Sequence, residues 1–121
     1  MSLLLSSPPD LPTSPVDLVI NCLDCHENPL LREQSWYQTA AQWANRNRAP
    51  VLSIDPPPDG EQQPAVQAKW TLSLGLPLPL APGEGRVYLC DIGIPKLVFQ
   101  EVGIDYHSPF ASKFVIPLHS A

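Results

Sequence analysis

Basic residues are scarce in this sequence. Seven Lys and Arg residues face twelve Asp and Glu residues, which gives a formal charge of −5. Such a chain does not attract a polyanion as a whole, so a nucleic-acid surface has to be a local patch or be completed by a second copy. Arg46 and Arg48 form the only compact basic group, which is either a solvated helix end or an RNA-binding patch. Trp36, Trp43 and Trp70 either stack bases or, as is commoner, anchor a core or an interface.

Long apolar runs are also absent. The apolar residues 3–5 are too few for a signal peptide and no basic residue precedes them. No later run approaches the roughly 20 apolar residues of a membrane span. The cysteines number three, and this odd count fits reduced thiols better than a disulfide framework. The sequence therefore predicts a soluble intracellular protein without a membrane partner.

Motifs for cofactors and metals are missing or incomplete. No dinucleotide fingerprint, P-loop or nucleophile elbow is present. Residues 22–26 have the haem-attachment spacing C-x-x-C-H, but that chemistry needs export and a second axial ligand, and the only methionine is Met1. Cys90, His107 and His119 show no second paired spacing for zinc. We therefore expect no metal and no cofactor, with one cysteine thiol in the core and one in a loop.

Proline is abundant, with 16 residues, well above average usage. The prolines cluster between apolar runs rather than inside them, as at residues 8–9 and 56–58. This placement is typical of turns in a folded chain and not of a low-complexity segment. We expect residues 1–14 to be a disordered lead and residues 15–121 to form one domain.

Two apolar segments, residues 16–23 and 51–54, flank a stretch with helical periodicity. A loop is expected over residues 24–31, and Ser35 is the expected N-cap of the helix. Its apolar face is expected to comprise Tyr37, Ala40, Ala41 and Ala44. A strand, a helix and a strand in this order predict two parallel strands joined by a right-handed crossover.

Further strands are predicted over residues 69–76 and 86–90. A short helix should follow, with Pro95 at its first position and Gly103 at its end. Residues 114–118 form a last segment that its proline limits to a sheet edge. The pattern as a whole predicts an α/β fold.

The ends of two predicted strands carry candidate ligand-binding residues. Asp55 follows the strand 51–54 and precedes prolines that cannot continue a ladder, and Asp91 and Gly93 follow the strand 86–90. In an open α/β sheet, ligands bind outside the carboxyl ends of the strands. The simpler alternative is that Asp55 caps its own turn.

Three motifs, in their order along the chain, resemble the YjeF N-terminal domain. They are V-L-S-I-D-P-P at 51–57, K-W-T-L-S-L-G-L-P at 69–77 and V-Y-L-C-D-I-G-I-P at 87–95. Within that superfamily, D-L-V-I-N-C-L-D-C, W-Y-Q-T-A-A-Q-W-A-N-R-N-R-A-P and the ending V-G-I-D-Y-H-S-P-F-A-S-K-F-V-I-P-L-H-S-A resemble enhancers of mRNA decapping. The resemblance runs from about residue 11 to residue 121.

The resemblance implies a Rossmann-like, three-layer α/β fold with a mostly parallel sheet. The opening βαβ portion of that fold, with its glycine-rich loop, has no counterpart upstream of residue 11. We therefore expect an incomplete domain in a truncated chain, with an open sheet edge and an uncovered face that cause marginal solubility or association.

The resemblance also implies a function. Members of this branch are cytoplasmic scaffolds of mRNA-decapping complexes in P-bodies, and their YjeF-like domain homodimerises and helps to bind RNA. The implied partners are a second copy, RNA and components of the decapping complex. The Lsm-like domain and the linker are not found here, so we do not expect their contacts to the decapping enzyme and the RNA helicase.

Catalytic relatives of the superfamily are epimerases of hydrated NAD(P)H. They resemble this chain at Asp55 and in residues 71–77, and they need a lysine directly after the proline that matches Pro77. Leu78 stands at that position, and an aliphatic side chain cannot transfer a proton. We therefore expect a non-enzyme. The alternatives are a nucleotide-like ligand in a degenerate pocket, or residual epimerase activity.

Overall fold

A computed structural model describes residues 10–23, 29–56, 66–77 and 85–118 of the chain. These residues form five strands, two α-helices and a 3-10 helix. The strands are β1 (Val19–Asn21), β2 (Val51–Ile54), β3 (Trp70–Leu74), β4 (Arg86–Cys90) and β5 (Val115–Leu118). The helices are α1 (Ser35–Arg46), α2 (Lys96–Glu101) and the 3-10 helix Pro29–Glu33.

All five strands belong to one sheet, whose order follows the chain from β1 to β5. The first four strands are parallel, and β5 runs antiparallel to β4. Pro117 lies in β5, at the sheet edge where its missing N–H costs no ladder bond. These pairings confirm the βαβ unit and the mostly parallel, Rossmann-like α/β sheet.

The core lies between the sheet and α1. Val19 and Val51 are opposite each other in the register and face the helix, where Tyr37 is 1% exposed. Val66, in the connection from β2 to β3, belongs to the same cluster. The small residues of the helix allow its axis to approach the strands closely, and the predicted face is confirmed: Tyr37, Ala40, Ala41 and Ala44 are all buried.

The start of α1 differs from the prediction. Gln34 occupies the N-cap position without a side-chain cap, and Ser35 is the first helical residue. The carbonyl of Gln34 accepts the amide hydrogen bond of Tyr37 at 3.1 Å. The predicted loop over 24–31 is wrong from residue 29 onward, because the 3-10 helix begins there. This preceding helical turn explains why the helix boundary falls at Gln34.

The carboxyl-terminal helix α2 also starts one residue later than predicted, since Pro95 is its N-cap. Gly103 has φ +76, and the amide of Ile104 donates to the carbonyl of Phe99 at 2.8 Å. A left-handed glycine with this bond is a common helix terminator. Phe99 is buried and its ring stacks on Tyr106, with 3.9 Å between the centroids. Within the described ranges, every helix is too short or too polar to cross a bilayer.

Candidate functional site

A groove of about 530 Å³ lies at the carboxyl end of α1. One wall comes from the helix end and the other from the segment that precedes β1. The lining residues are Leu11, Pro12, Thr13, Ser14, Pro15, Val16, Trp43, Arg46, Asn47 and Arg48. This volume falls within the range of sites for small ligands. The two arginines that the sequence singled out therefore line one groove.

One hydrogen bond joins the two walls of the groove, and two more shape the end of the helix. The indole Nε1 of Trp43 donates to the carbonyl of Pro12 at 2.9 Å. The amide of Asn47 donates to the carbonyl of Trp43 at 3.0 Å, and its side-chain Oδ1 accepts from the amide of Ala49 at 3.1 Å. The helix therefore ends at Arg46 and the chain turns over residues 47–49. Arg46 and Arg48 flank Asn47, and both line the groove.

The chemistry of the groove suits a phosphate-bearing ligand with a flat base. Arg46 and Arg48 are exposed, and a guanidinium is always charged and forms paired hydrogen bonds to phosphate. Cations near a helix carboxyl terminus are favoured by the helix dipole. Trp43 is half-buried and packs against the core, so it offers a fixed indole wall. Positive charge beside an aromatic ring is how proteins bind single-stranded nucleic acid without reading its sequence.

The sequence did not predict the other wall. Residues 1–14 were expected to be disordered, yet residues 11–14 line the groove and Pro12 is bonded to Trp43. The expectation that the tryptophans are anchors agrees with the burial of Trp36, whereas Trp43 both packs against the core and lines the groove. The bond joins residues 31 apart in sequence, and no local pattern signals such a contact.

Asp55 stands at the carboxyl end of β2, as predicted. Its φ is +48, a left-handed conformation that Asp and Asn tolerate better than most residues. Its amide donates to the carbonyl of Leu72 at 2.8 Å, which extends the pairing of β2 with β3. The side chain is half-buried at the sheet rim.

Asp91 and Gly93 lie together at the end of β4. The Oδ1 atom of Asp91 accepts a hydrogen bond from the amide of Gly93 at 2.9 Å. Gly93 has φ +74, and a Cβ there would meet no atom within 4 Å, so the backbone conformation and not space explains the glycine. The Asp91 carboxylate therefore has a structural role in this turn.

The rim does not bring the two acids together. A cavity of about 10 Å³ lies beside Asp91, bounded also by Gly75 and Ile92, and it has room for about one water molecule. Asp55 does not line this cavity. Asp55 follows β2, and β3 separates β2 from β4, so at about 4.8 Å per strand spacing the two acids are at least roughly 10 Å apart.

A buried polar pair lies just below this rim. The Nδ2 of Asn21 donates to the Oγ of Ser53 at 3.0 Å, and the Oδ1 of Asn21 accepts from the amide of Leu23 at 2.9 Å. Asn21 and Ser53 are 5% and 2% exposed. The pair joins the ends of β1 and β2 and stabilises the exit of the chain from β1.

The remaining sequence candidates are less informative. Cys22 is exposed and Cys90 half-buried, and both are free thiols. Among the residues that the structure describes, no group of three or more His, Cys, Asp or Glu side chains could hold a metal. Four candidates lie outside the described residues: Cys25, His26, Leu78 and His119.

Comparison with known proteins agrees with this fold. The family model for the YjeF-related protein N-terminus matches residues 3–80. The chain is 74% identical over 117 residues to the enhancer of mRNA-decapping protein 3 of Danio rerio, covering 97% of this chain and 23% of that protein. The same protein of Homo sapiens is 71% identical with the same coverage. That of Drosophila melanogaster is 31% identical over 113 residues, covering 65% of this chain and 16% of the relative.

The chain thus spans less than a quarter of the length of its vertebrate relatives, at 23%. The family match covers well over half of the chain, from residue 3 to residue 80. It covers β1, α1, β2 and β3, which are three of the four parallel strands and the helix that packs on them. This chain belongs to the family of proteins related to the YjeF N-terminus.

Proposed function

We propose that this chain is a non-catalytic scaffold of mRNA-decapping activators, which binds RNA and associates with a second copy of itself. Its place of action is the cytoplasm and its P-bodies, and its further partners are components of the decapping complex. The support for a role in decapping is the name of the relatives, which are enhancers of mRNA decapping. The proposal that the chain binds RNA rests on one observation, the groove that Trp43, Arg46 and Arg48 line together.

The groove offers a sequence-independent mode of binding. Arg46 and Arg48 each neutralise one backbone phosphate, while a base stacks on Trp43, and stacking of this kind contributes about 1–3 kcal/mol per base. The net charge of −5 opposes binding of any polyanion elsewhere on the surface. Affinity should therefore depend on these few residues and on salt.

The residues at the rim support the proposed non-catalytic role. Acid–base catalysis needs a second proton-transfer group beside Asp55, and Leu78 follows Pro77 where epimerases of the superfamily have lysine. The Asp91 carboxylate is engaged in its own turn with Gly93. A scaffold does not need either group to react.

The test is RNA binding by the double variant Arg46→Ala/Arg48→Ala. Fluorescence anisotropy with a labelled single-stranded RNA should show wild-type affinity that falls with salt, with a log–log slope of about −1.4 for two phosphate contacts. The double variant should bind at least about tenfold more weakly, with a slope near zero.

The matched control is Lys96→Ala/Lys113→Ala. It also removes two exposed positive charges, at residues that do not line the groove. The control should retain wild-type affinity. Equal losses in both double variants would mean that net charge alone governs binding and that the groove is not the site.

A further inference from the structure

A serine that directly precedes a proline lies in the wall of the groove. Ser14 and Pro15 belong to the segment that faces the end of α1, and both residues are exposed. The chain bends at residues 13–14, outside any helix or strand, so the Ser14 backbone is accessible to an enzyme that binds an extended substrate. A Ser-Pro pair is the minimal substrate of a proline-directed protein kinase.

Two other Ser-Pro pairs occur in the chain, and they differ from this one. Ser7 lies outside the described residues. Ser108 is exposed, but its Oγ accepts a hydrogen bond from the amide of Phe110 at 3.4 Å, and it does not line the groove. Within the described part of the chain, Ser14 is therefore the Ser-Pro serine that shares the groove with the two arginines.

The bond between the walls holds Ser14 near the end of α1. The Trp43 indole donates to the Pro12 carbonyl at 2.9 Å, and Ser14 is two residues further along, so its Cα lies within about 7 Å of that of Pro12. Arg46 follows Trp43 by three residues in α1, a spacing that places the two side chains side by side on the helix. Arg48 lines the same groove. A group added to the Ser14 hydroxyl therefore joins the opening that both arginines line.

We propose that Ser14 is a phosphorylation site that closes the groove to RNA. The Oγ of Ser14 forms a bond to the γ-phosphorus of ATP, the bond from this phosphorus to the β-phosphate oxygen breaks, ADP leaves, and the hydroxyl proton passes to a base of the kinase. The inference rests on the RNA binding proposed above and names its regulation.

The added phosphate cancels the charge on which RNA binding depends. Phosphoserine carries about −1.5 to −2 at pH 7, while Arg46 and Arg48 carry one positive charge each. Among the described residues that line the groove, these two are the charged ones, since Asp10 and Asp17 flank the lining segment without joining it. A guanidinium forms the same paired hydrogen bonds to a phosphoserine as to an RNA phosphate. The phosphoserine competes at high effective concentration, because the chain itself holds it there.

RNA binding by chains that are phosphorylated at one chosen serine during translation tests this competition. Phosphorylation at Ser14 should lower the affinity for a labelled single-stranded RNA at least about tenfold, and the log–log salt slope should move from about −1.4 to near zero. Ser112 is the matched control, because it is exposed and does not line the groove, and its phosphorylation adds the same charge. Phosphorylation at Ser112 should leave the slope at about −1.4. Equal losses at the two positions would overturn the inference.

Phosphorus-31 NMR tests the contact with the arginines in the absence of RNA. The second pKa of phosphoserine is about 6, and a guanidinium nearby lowers this pKa because it favours the dianion. The pKa of the phosphate should be lower at Ser14 than at Ser112 by about 0.5 or more, and Arg46→Ala/Arg48→Ala should remove the difference. Equal pKa values at the two positions would show that the phosphate does not pair with the arginines and would overturn the inference.

A kinase assay tests whether the folded chain is a substrate. A purified proline-directed serine kinase with ATP should phosphorylate Ser14, as located by peptide mass spectrometry, and Ser14→Ala should lose this phosphate. A folded chain that stays unmodified at Ser14, while the same kinase modifies a peptide of residues 8–20, would overturn the site.

The outcomes separate this inference from the proposed function. An unmodified chain that does not bind RNA would overturn the proposed function and, with it, the closing of the groove. An unmodified chain that binds RNA through the groove, together with equal phosphate pKa values at Ser14 and Ser112, would overturn the phosphorylation switch alone.

Discussion

Gly85 precedes β4 at a point where the backbone of the segment before β3 leaves no room for a side chain. Its φ is +67, and a Cβ there would lie 2.3 Å from the carbonyl oxygen of Lys69 and 2.7 Å from that of Ala68. Lys69 cannot move away easily. Its amide donates to Val51 at 2.9 Å, and its carbonyl accepts from Arg86 at 3.0 Å. We therefore expect Gly85→Ala to disrupt the start of the β3–β4 pairing.

The magnitude follows from two contributions. The left-handed conformation costs an alanine about 1–2 kcal/mol. Displacing the Lys69 carbonyl weakens its bond to Arg86 and strains the ladder, which adds roughly 2 kcal/mol. Gly103→Ala is the matched control, since Gly103 has φ +76 but no atom within 4 Å of the added Cβ. The control isolates the conformational cost from the steric one.

Urea unfolding, followed by tryptophan fluorescence and circular dichroism, measures both variants against the wild type. The free energy of unfolding should fall by about 1–2 kcal/mol in Gly103→Ala and by about 3–4 kcal/mol in Gly85→Ala. If Gly85→Ala is too unstable for a transition to be resolved, amide exchange of β4 gives the same comparison. Equal free energies for the two variants would refute the close approach of Gly85 to Lys69.

Three further predictions concern the groove and the rim. Trp43→Phe keeps a ring but removes the bond to Pro12, so amide exchange in residues 10–16 should accelerate and RNA affinity should fall; unchanged exchange would show that this bond does not hold the segment. Asn21→Ala should cost about 1–3 kcal/mol by leaving the buried Ser53 hydroxyl unpaired, and adding Ser53→Ala should recover part of this loss in urea unfolding; fully additive losses would count against the pairing. The purified chain should show no epimerisation of hydrated NADPH, and turnover that Asp55→Asn abolishes would contradict the non-catalytic role.

The periodicity of apolar residues along the sequence was the main basis for predicting the fold. The bounds of β4 agree with the prediction, and the four predicted face residues of α1 are buried, together with Trp36, because amphipathic helices and apolar strands are repetitive signals. Boundaries were less accurate. The apolar run over residues 16–23 contains only three residues in β1, since pairing with Val51 and Ser53 sets its limits. The N-cap was missed because a 3-10 helix precedes it.

The candidate site was only partly readable from sequence. Two arginines separated by one residue are a visible basic group, and the turn at Asn47 places both in one groove. The bond from Trp43 to Pro12 spans 31 residues and has no local signature. In the strand 51–54, Val51 and Ser53 are buried, whereas Leu52 and Ile54 are only half-buried. Alternation along a strand identifies its two faces but does not reveal which neighbour covers each one.

The proline in β5 makes the two borders of the sheet unequal. At the β5 border, Pro117 cannot offer an N–H to an incoming strand, so that side resists extension. The opposite border, β1, is only three residues long. Growth of the sheet by head-to-tail addition of copies needs two open edges on every copy. A sheet that is blocked at one edge does not meet this condition. Pairing between sheet edges is then limited to the β1 strands of two copies. Aggregation into indefinite filaments through this sheet is therefore disfavoured.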